Sequence, residues 1–222
     1  MALPANIVIP NDRIIFQLTT LGRASRTVYN SIRSVHYWSR RVGINYESWI
    51  ITEESADLLR TEYAEKIRAE GTRIVVVPSG YETPNGTRSK ARALHYACEL
   101  RRREIGLDDR VWVYYPDNET SVNEDTVLGI CHLISAVKYN IGSGIIIYPL
   151  NFENTPAHVQ GFMSSYDDLR AMGSLLTRRN PLSVFHGSHF VVMQSVENYV
   201  GNGLSTGSVS TWAHFTLKYE SL

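Results

Sequence analysis

Hydrophobic and polar positions follow two different periods along the chain up to Leu150. Short runs rich in β-branched and aromatic residues predict five strands: Arg13–Leu18, Ser48–Thr52, Thr72–Val77, Val111–Tyr115 and Gly144–Tyr148. Between the strands, apolar residues recur three and four positions apart, which predicts four helices: Arg23–Val42, Ser55–Glu70, Thr87–Glu104 and one that opens at the capping-box pattern Ser121–Glu124. This alternation predicts an α/β fold, with a mostly parallel central sheet and helices on both of its faces.

The pattern becomes looser after Tyr148. A helix is predicted over His158–Met172, a loop followed by a strand over Phe185–Gln194, and a loop rich in Gly, Ser and Asn over Gly201–Gly207. The sequence contains no internal repeat, no low-complexity tract and no composition shift that would mark a linker. We therefore expect a single domain over residues 1–222.

Composition and charge exclude several functional classes. The 22 Lys and Arg residues balance 22 Asp and Glu residues, so we expect no nucleic-acid partner. Cys98 and Cys131 are too far apart for a zinc site and are predicted to be buried apolar residues. The N-terminus lacks the features of a signal peptide, and no apolar run approaches the roughly 18 residues of a membrane span. We expect a cytoplasmic chain that has no span and could act at a membrane surface.

Ligands of mostly parallel sheets bind beyond the carboxyl ends of the strands, so the chemistry is sought there. Neither a glycine-rich dinucleotide motif nor a P-loop nor a G-x-S-x-G nucleophile elbow follows any predicted strand. His186 and His189 could supply two metal ligands, but no third ligand stands in register with them. A polar loop is the better interpretation of that pair.

The acidic triplet Asp117-Asn118-Glu119 directly follows the predicted central strand Val111–Tyr115. Two carboxylates at a strand end can hold Mg²⁺ or Mn²⁺, which typically takes one or two carboxylates together with ligand phosphates. The alternative is a solvated acidic turn that caps the following helix. The spacing alone leaves both interpretations open.

A loop rich in turn residues, Tyr81–Gly86, leads into the third predicted helix. Hydroxyl and cationic groups then occupy the first turns of that helix, where the helix dipole favours an anion: Thr87, Arg88, Lys90 and Arg92. This arrangement suits a diphosphate, and the alternative is a solvated basic face. The run Arg101–Arg103 near the other helix end is interpreted as complementing the dipole, without a further role.

Together these residues resemble family 2 glycosyltransferases of the GT-A fold, nearest the egghead-type β-mannosyltransferase branch. Val77–Ala97 resembles the nucleotide-side segment of that branch, and Val111–Thr120 its strand ending in a variant D-x-D motif. Phe185–Val192 is similar to its acceptor-side loop and strand, and the whole resemblance covers roughly Arg13 to Lys218. It implies a GT-A-like, Rossmann-type three-layer sandwich.

The resemblance also implies a role for each matching residue. Thr19, Glu53 (or its neighbour Glu54), Lys90, Arg92 and Asp117 would bind the nucleotide-sugar, with Lys90 and Arg92 facing the diphosphate. Asp117 and Glu119 would hold Mn²⁺ or Mg²⁺. Gly187, Ser188 and His189 would line the acceptor side. The implied donor is a UDP- or GDP-linked sugar.

The implied reaction transfers the sugar, with inversion, to a glycan or lipid-linked acceptor. One departure concerns the catalytic base. The family carries a T-E-D-x-x-F segment, and the best match, Ser210–Phe215, has Thr211 and Trp212 in place of the acidic pair. The chain also ends at Leu222 without the family's C-terminal Q/R-x-x-R-W element. Asp167 or Asp168 could offer a substitute carboxylate, although a solvated helix position is the better interpretation, and no catalytic residue is assigned.

Two other classes therefore stay open. One is a catalytically impaired module that binds a nucleotide-sugar without transferring the sugar. The other is an unrelated nucleotidyl-transferring enzyme on a similar sheet.

Overall fold

A computed structural model of the chain describes residues 7–136, 140–144 and 189–200. The strands are β1 (Arg13–Thr20), β2 (Tyr46–Glu53), β3 (Arg73–Val77), β4 (Val111–Tyr115), β5 (Ile141–Ser143) and β6 (Phe190–Met193). The helices are α1 (Ser25–Val42), α2 (Glu62–Ala69), α3 (Ser89–Ile105), α4 (Glu124–Ser135) and α5 (Gln194–Val200), and a 3₁₀ turn spans Asp57–Arg60.

The six described strands form one sheet in the order β3-β2-β1-β4-β6-β5. The neighbours β3, β2, β1 and β4 are parallel, whereas β6 runs antiparallel to both β4 and β5. The predicted mostly parallel sheet is thereby confirmed. Because Thr20 pairs with Thr52 in register, the carboxyl ends of β1 and β2 lie level at one edge of the sheet.

Helices cover both faces of the sheet, as the alternation of elements predicts. Ile14 and Phe16 of β1 pack with residues of α1 and α4 on one face. Ile15, between them in the sequence, packs with residues of α3 on the opposite face, because successive side chains of a strand point to opposite sides. Burial of each such side chain stabilises the fold by about 1.5–3 kcal/mol, so these two layers carry much of its stability.

The second predicted helix, Ser55–Glu70, is wrong as a continuous element. Its first part forms the 3₁₀ turn, which stops at Thr61, and α2 begins at Glu62. Leu58, within this turn, is fully buried. A side chain on Gly22 would lie 2.5 Å from the backbone nitrogen of Leu58, so the turn is pressed against the loop after β1. This tertiary contact overrides the local helical pattern.

The start of the fourth helix is also corrected. The cap is Asn123, whose side chain accepts a hydrogen bond from the Thr126 backbone N–H at 2.9 Å, and not Ser121. The chain just before this cap is tied to α1, because the Val122 N–H donates to the Ser34 hydroxyl at 2.9 Å. The helix accordingly begins at Glu124.

Several other predictions can be placed. Cys98 and Cys131 are buried free cysteines, as expected. Strand β5 ends at Ser143, so Gly144 lies outside it, while residues 145–148 and the predicted helix His158–Met172 lie outside the described residues. Within the described ranges, no helix combines the length and the hydrophobicity that crossing a membrane requires.

Candidate functional site

A cleft of about 340 Å³ opens at the carboxyl ends of β1 and β2, beside the start of α3. The loop after β1, the strand ends, α3 and the turn after β4 all contribute to its walls: Thr19, Thr20, Leu21, Arg23, Thr52, Glu53, Ser89, Lys90, Ala93 and Asn118. The sequence-predicted residues Thr19, Glu53 and Lys90 are therefore brought together here. The cleft lies where ligands of such sheets bind.

The acidic triplet forms a hydrogen-bonded turn at the rim of this cleft. The Thr120 N–H donates to the Asp117 carbonyl at 3.1 Å, which closes the turn. Asn118, in its middle, lines the cleft and donates from its side-chain amide to the Thr20 hydroxyl at 3.4 Å. Glu119 is exposed. The helix cap is supplied by Asn123, so the carboxylates of Asp117 and Glu119 are not used as caps.

Lys90 and Asp117 form an ion pair across the cleft rim, with the Lys90 ammonium donating to the Asp117 carboxylate at 2.9 Å. Their side chains keep 43% and 31% of their surface exposed, so a ligand can reach both. The negative charge of Asp117 also affects Tyr114, which lies below the rim. Burial first, and then this nearby negative charge, raise the pKa of the Tyr114 hydroxyl, which stays neutral near physiological pH.

Arg92 fixes the position of Glu53, which lines the cleft. Its guanidinium forms an ion pair with Glu53 and donates to three backbone carbonyls of the loop after β3, those of Pro78, Ser79 (3.1 Å) and Tyr81 (2.8 Å). Glu53 is thereby fixed at the end of β2. The adjacent Glu54 accepts from the Ser79 N–H at 3.1 Å. The predicted contact of Arg92 with a diphosphate stays a prediction, since the side chain also has this local role.

The hydroxyl of Thr19 has a buried oxygen without a hydrogen-bond partner among the described residues. Buried polar groups are nearly always satisfied, and leaving one unsatisfied costs about 1–3 kcal/mol. Thr19 lines the cleft. A polar ligand atom there would remove this cost.

Asp117 and Glu119 are the residues that could hold a cation at this edge. No group of three or more His, Cys, Asp or Glu side chains within the described ranges is arranged to bind a metal ion. Two carboxylates on one exposed turn fit a hard cation that completes its coordination with phosphate oxygens and water. They do not fit a cation held by the protein alone.

His189 lies below the acidic turn and not on the cleft surface. Its ring is buried, with Nδ1 3.1 Å from the Tyr114 hydroxyl and Nε2 3.1 Å from the Thr120 hydroxyl. Its predicted partners on the acceptor side, Gly187 and Ser188, lie outside the described residues, as do Thr211 and Trp212. The acceptor-side assignment stays a prediction.

Sequence reasoning assigned no role to several lining residues. Thr20, Thr52 and Asn118 stand at the strand ends where the chemistry was sought, but none of them was given a binding role. Thr52 donates to the Thr20 carbonyl at 2.8 Å and keeps the two strand ends together. Leu21 and Arg23, which flank Gly22 in the loop packed against Leu58, carried no such signal in the sequence.

Comparison with known proteins gives three curated relatives, each named as a β-1,4-mannosyltransferase. The chain is 32% identical over 152 residues to the β-1,4-mannosyltransferase egh of Drosophila melanogaster, covering 66% of this chain and 32% of that protein. It is 36% identical over 76 residues to the β-1,4-mannosyltransferase bre-3 of Caenorhabditis briggsae, covering 34% of this chain and 16% of that protein. The chain thus spans less than a third of the length of these curated relatives. No protein-family model matches it.

Solved structures share the fold. Mannosyl-3-phosphoglycerate synthase from Rubrobacter xylanophilus superposes with a TM-score of 0.53 at 13% identity, covering 83% of this chain and 55% of that one. S. aureus TarS 1–349 superposes with a TM-score of 0.51 at 12% identity, covering 85% and 50%. The α/β GT-A-like fold is confirmed, and so is the resemblance to family 2 glycosyltransferases near the egghead branch.

Proposed function

We propose that this chain, a relative of the egghead-type β-mannosyltransferases, is a glycosyltransferase that binds a nucleotide-sugar donor in the cleft at the carboxyl ends of β1 and β2. The observation that carries the proposal is the convergence of the Lys90–Asp117 ion pair and the buried Thr19 hydroxyl on one cleft. A donor of this class offers a polar ribose for the hydroxyl and an anionic diphosphate for the ammonium.

In this proposal the diphosphate lies at the rim, where Lys90 turns from Asp117 to the phosphate oxygens. Asp117 is then released to bind a divalent cation together with Glu119. The cation, Mn²⁺ or Mg²⁺, would act as a Lewis acid that stabilises the charge of the departing diphosphate. Thr19 and Glu53 would contact the ribose or base, and Arg92 would keep Glu53 in place.

The transfer itself would invert the anomeric carbon, with a hydroxyl of a glycan or lipid-linked acceptor attacking from the face opposite the diphosphate. A general base must take the proton of that hydroxyl. We assign no residue to this step. The three curated relatives are named as mannosyltransferases, so GDP-mannose is the first donor to test, with a UDP-sugar as comparison.

Calorimetry with the full chain tests the donor site. GDP or UDP should bind in the presence of Mn²⁺, and chelation with EDTA should weaken binding at least tenfold, about 1.4 kcal/mol. Mn²⁺ without nucleotide should bind much more weakly, because two carboxylates leave its coordination incomplete. Equal nucleotide affinity with and without metal would refute the metal assignment, and no binding in either condition would refute the donor site.

Matched variants separate the roles of the charged residues. Glu119→Gln should abolish the gain from metal, whereas Glu124→Gln, at the exposed start of α4, should leave it unchanged. Lys90→Ala should weaken binding of the diphosphate and spare the free nucleoside, while Lys66→Ala, on the exposed surface of α2, should affect neither. Equal effects of Lys90→Ala on diphosphate and nucleoside would exclude a phosphate contact.

Turnover needs a separate measurement. The full chain is incubated with GDP-mannose and Mn²⁺, and release of GDP is followed with water in place of the acceptor. Release that is lost in Glu119→Gln would support catalysis at this site. Binding without any release, even when glycan and lipid-linked acceptors are supplied, would contradict the transferase activity while leaving the donor site intact.

A further inference from the structure

His189 has a strained backbone at the end of the segment that leads into β6. Its φ angle is +59°, in the left-handed region that side chains other than glycine seldom adopt. Two backbone hydrogen bonds keep it there, because its N–H donates to the Tyr115 carbonyl and its own carbonyl accepts from the Gly144 N–H, both at 2.6 Å. Strain of this kind persists where the surroundings impose it, and it concentrates at functional sites.

The ring of His189 connects the sheet to the acidic turn. It is 5% exposed, and it lies between the Tyr114 hydroxyl of β4 and the Thr120 hydroxyl, each 3.1 Å from one ring nitrogen. Thr120 is the residue whose N–H closes the turn onto the Asp117 carbonyl. The side chain of His189 thus contacts the closing residue of the turn that carries both acidic groups.

The opposite side of this turn is fixed by α1. The Ser31 hydroxyl is buried and donates to the Asn118 carbonyl at 2.9 Å. The Val122 N–H, two residues after Thr120, donates to the Ser34 hydroxyl at 2.9 Å. The turn is therefore held between α1 and the ring of His189, and a change at either side can move the carboxylates.

We propose that His189 is a positioning residue, which acts through Thr120 to keep the acidic turn in the shape that binds a divalent cation together with a nucleoside diphosphate. This inference rests on the proposed function of the cleft. His189 touches neither the cation nor the donor. His189, a residue predicted for the acceptor side, thereby contacts the turn on the donor side of the site.

Removing the hydroxyl of Thr120 tests the link. Thr120→Val keeps the shape of the side chain and deletes the partner of His189. The dissociation constant of GDP or UDP in the presence of Mn²⁺ should rise at least tenfold, while metal-free affinity should change less than twofold. Thr126→Val is the matched control, because its hydroxyl bonds only locally to the cap residue Asn123 at 2.7 Å, and it should leave both affinities unchanged.

A double-mutant cycle tests whether His189 acts through Thr120. His189→Asn is suitable because Asn tolerates the left-handed conformation, whereas its shorter side chain cannot bridge Tyr114 and Thr120. Each single variant should weaken metal-dependent binding, and the double variant should be no weaker than the weaker single variant. Additive losses would overturn the inference, and so would metal-dependent affinity of Thr120→Val equal to that of the unmodified chain.

Hydrogen exchange gives a readout without any ligand. If His189 holds the turn, the Thr120 amide should exchange at least tenfold faster in His189→Asn, while amides in the centre of β4 stay protected. Unchanged exchange at Thr120 would overturn the positioning role. The outcomes also separate the two proposals, since failure of the unmodified chain to bind any nucleoside diphosphate refutes the donor site, whereas normal binding by Thr120→Val refutes only the role of His189.

Discussion

A buried ion pair joins the C-terminal part of α3 to α5. Its removal tests what fixes α3, the helix that carries Lys90 at the cleft. Arg101 and Glu197 are both fully buried and contact each other at 2.6 Å. The Arg101 guanidinium also donates to the Tyr115 hydroxyl at 3.0 Å and to the side-chain carbonyl of Gln17. Burial alone would lower the pKa of Arg101, but the charge and hydrogen bond of Glu197, together with the interactions with Tyr115 and Cys98, raise the pKa, so Arg101 stays charged.

The expected magnitude follows from this burial. Arg101→Met removes the cation and leaves the Glu197 carboxylate away from water without its charge partner. Breaking a buried pair on one side typically costs about 3–5 kcal/mol. The exposed pair Lys66–Glu62 on α2 has the same chemistry but side chains that are 46% and 69% exposed, so water screens the pair and it contributes far less to stability. Lys66→Met is therefore the matched control.

Urea unfolding followed by tryptophan fluorescence measures both variants. With a slope of about 2 kcal/mol per M, the midpoint should fall by about 2 M for Arg101→Met and by only a small fraction of that for Lys66→Met. If Arg101→Met does not fold, Arg101→Lys retains the charge with fewer hydrogen bonds and should show an intermediate loss. Equal midpoints for Arg101→Met and Lys66→Met would refute the reasoning.

Three further predictions concern the loop after β1, the start of α3 and a buried histidine on α1. Gly22→Ala should destabilise the fold by about 1–3 kcal/mol and weaken nucleotide binding, because its Cβ would lie 2.5 Å from the Leu58 nitrogen; equal midpoints in urea would contradict this. Ser89→Gly should stabilise the fold relative to Ser89→Val by about 1–2 kcal/mol, since Ser89 has a φ of +53°, and the reverse order in thermal unfolding would be contrary to it. Burial, followed by the charge of Arg40, lowers the pKa of His36 below 6.5, so the unfolded chain binds more protons and stability should fall as the pH drops below about 6.5. This loss of stability should be smaller in His36→Gln. The pKa of His95 is also lowered, but His95 is present in both chains and affects both equally.

Much of the fold can be predicted because its elements follow local rules. Strand β4 is the predicted Val111–Tyr115, and α1 and α3 begin within two residues of their predicted starts. The prediction fails where a tertiary contact decides the local structure. Leu58 packs against Gly22, and the second predicted helix is interrupted there. Gly22 stands 36 positions earlier in the chain, so the residues around Leu58 alone cannot predict this contact.

The candidate site divides in the same way. Strand ends can be read from the sequence, so Thr19, Glu53 and the acidic turn were predicted at one edge of the sheet, and the structure brings them near one cleft. The partners of the side chains cannot be read. The pairing of Arg92 with Glu53 and the contact of His189 with Thr120 join residues that are 39 and 69 positions apart. Such contacts depend on how loops from different strands meet.

Arg101 is the exception that the sequence could have resolved. The run Arg101–Arg103 was interpreted as complementing the dipole, which is wrong for Arg101, because it is fully buried. Arg101 stands eleven positions after Lys90. At 100° per residue this spacing returns to nearly the same face of the helix, about 16 Å farther along its axis. Ala97 and Leu94, four and seven residues before Arg101, are buried on the same face. One helix face therefore presents a cation at each end. Lys90 lines the cleft beside the strand ends, and Arg101 forms the buried ion pair with Glu197 of α5. This buried ion pair therefore fixes the helix that places the Lys90 ammonium at the cleft.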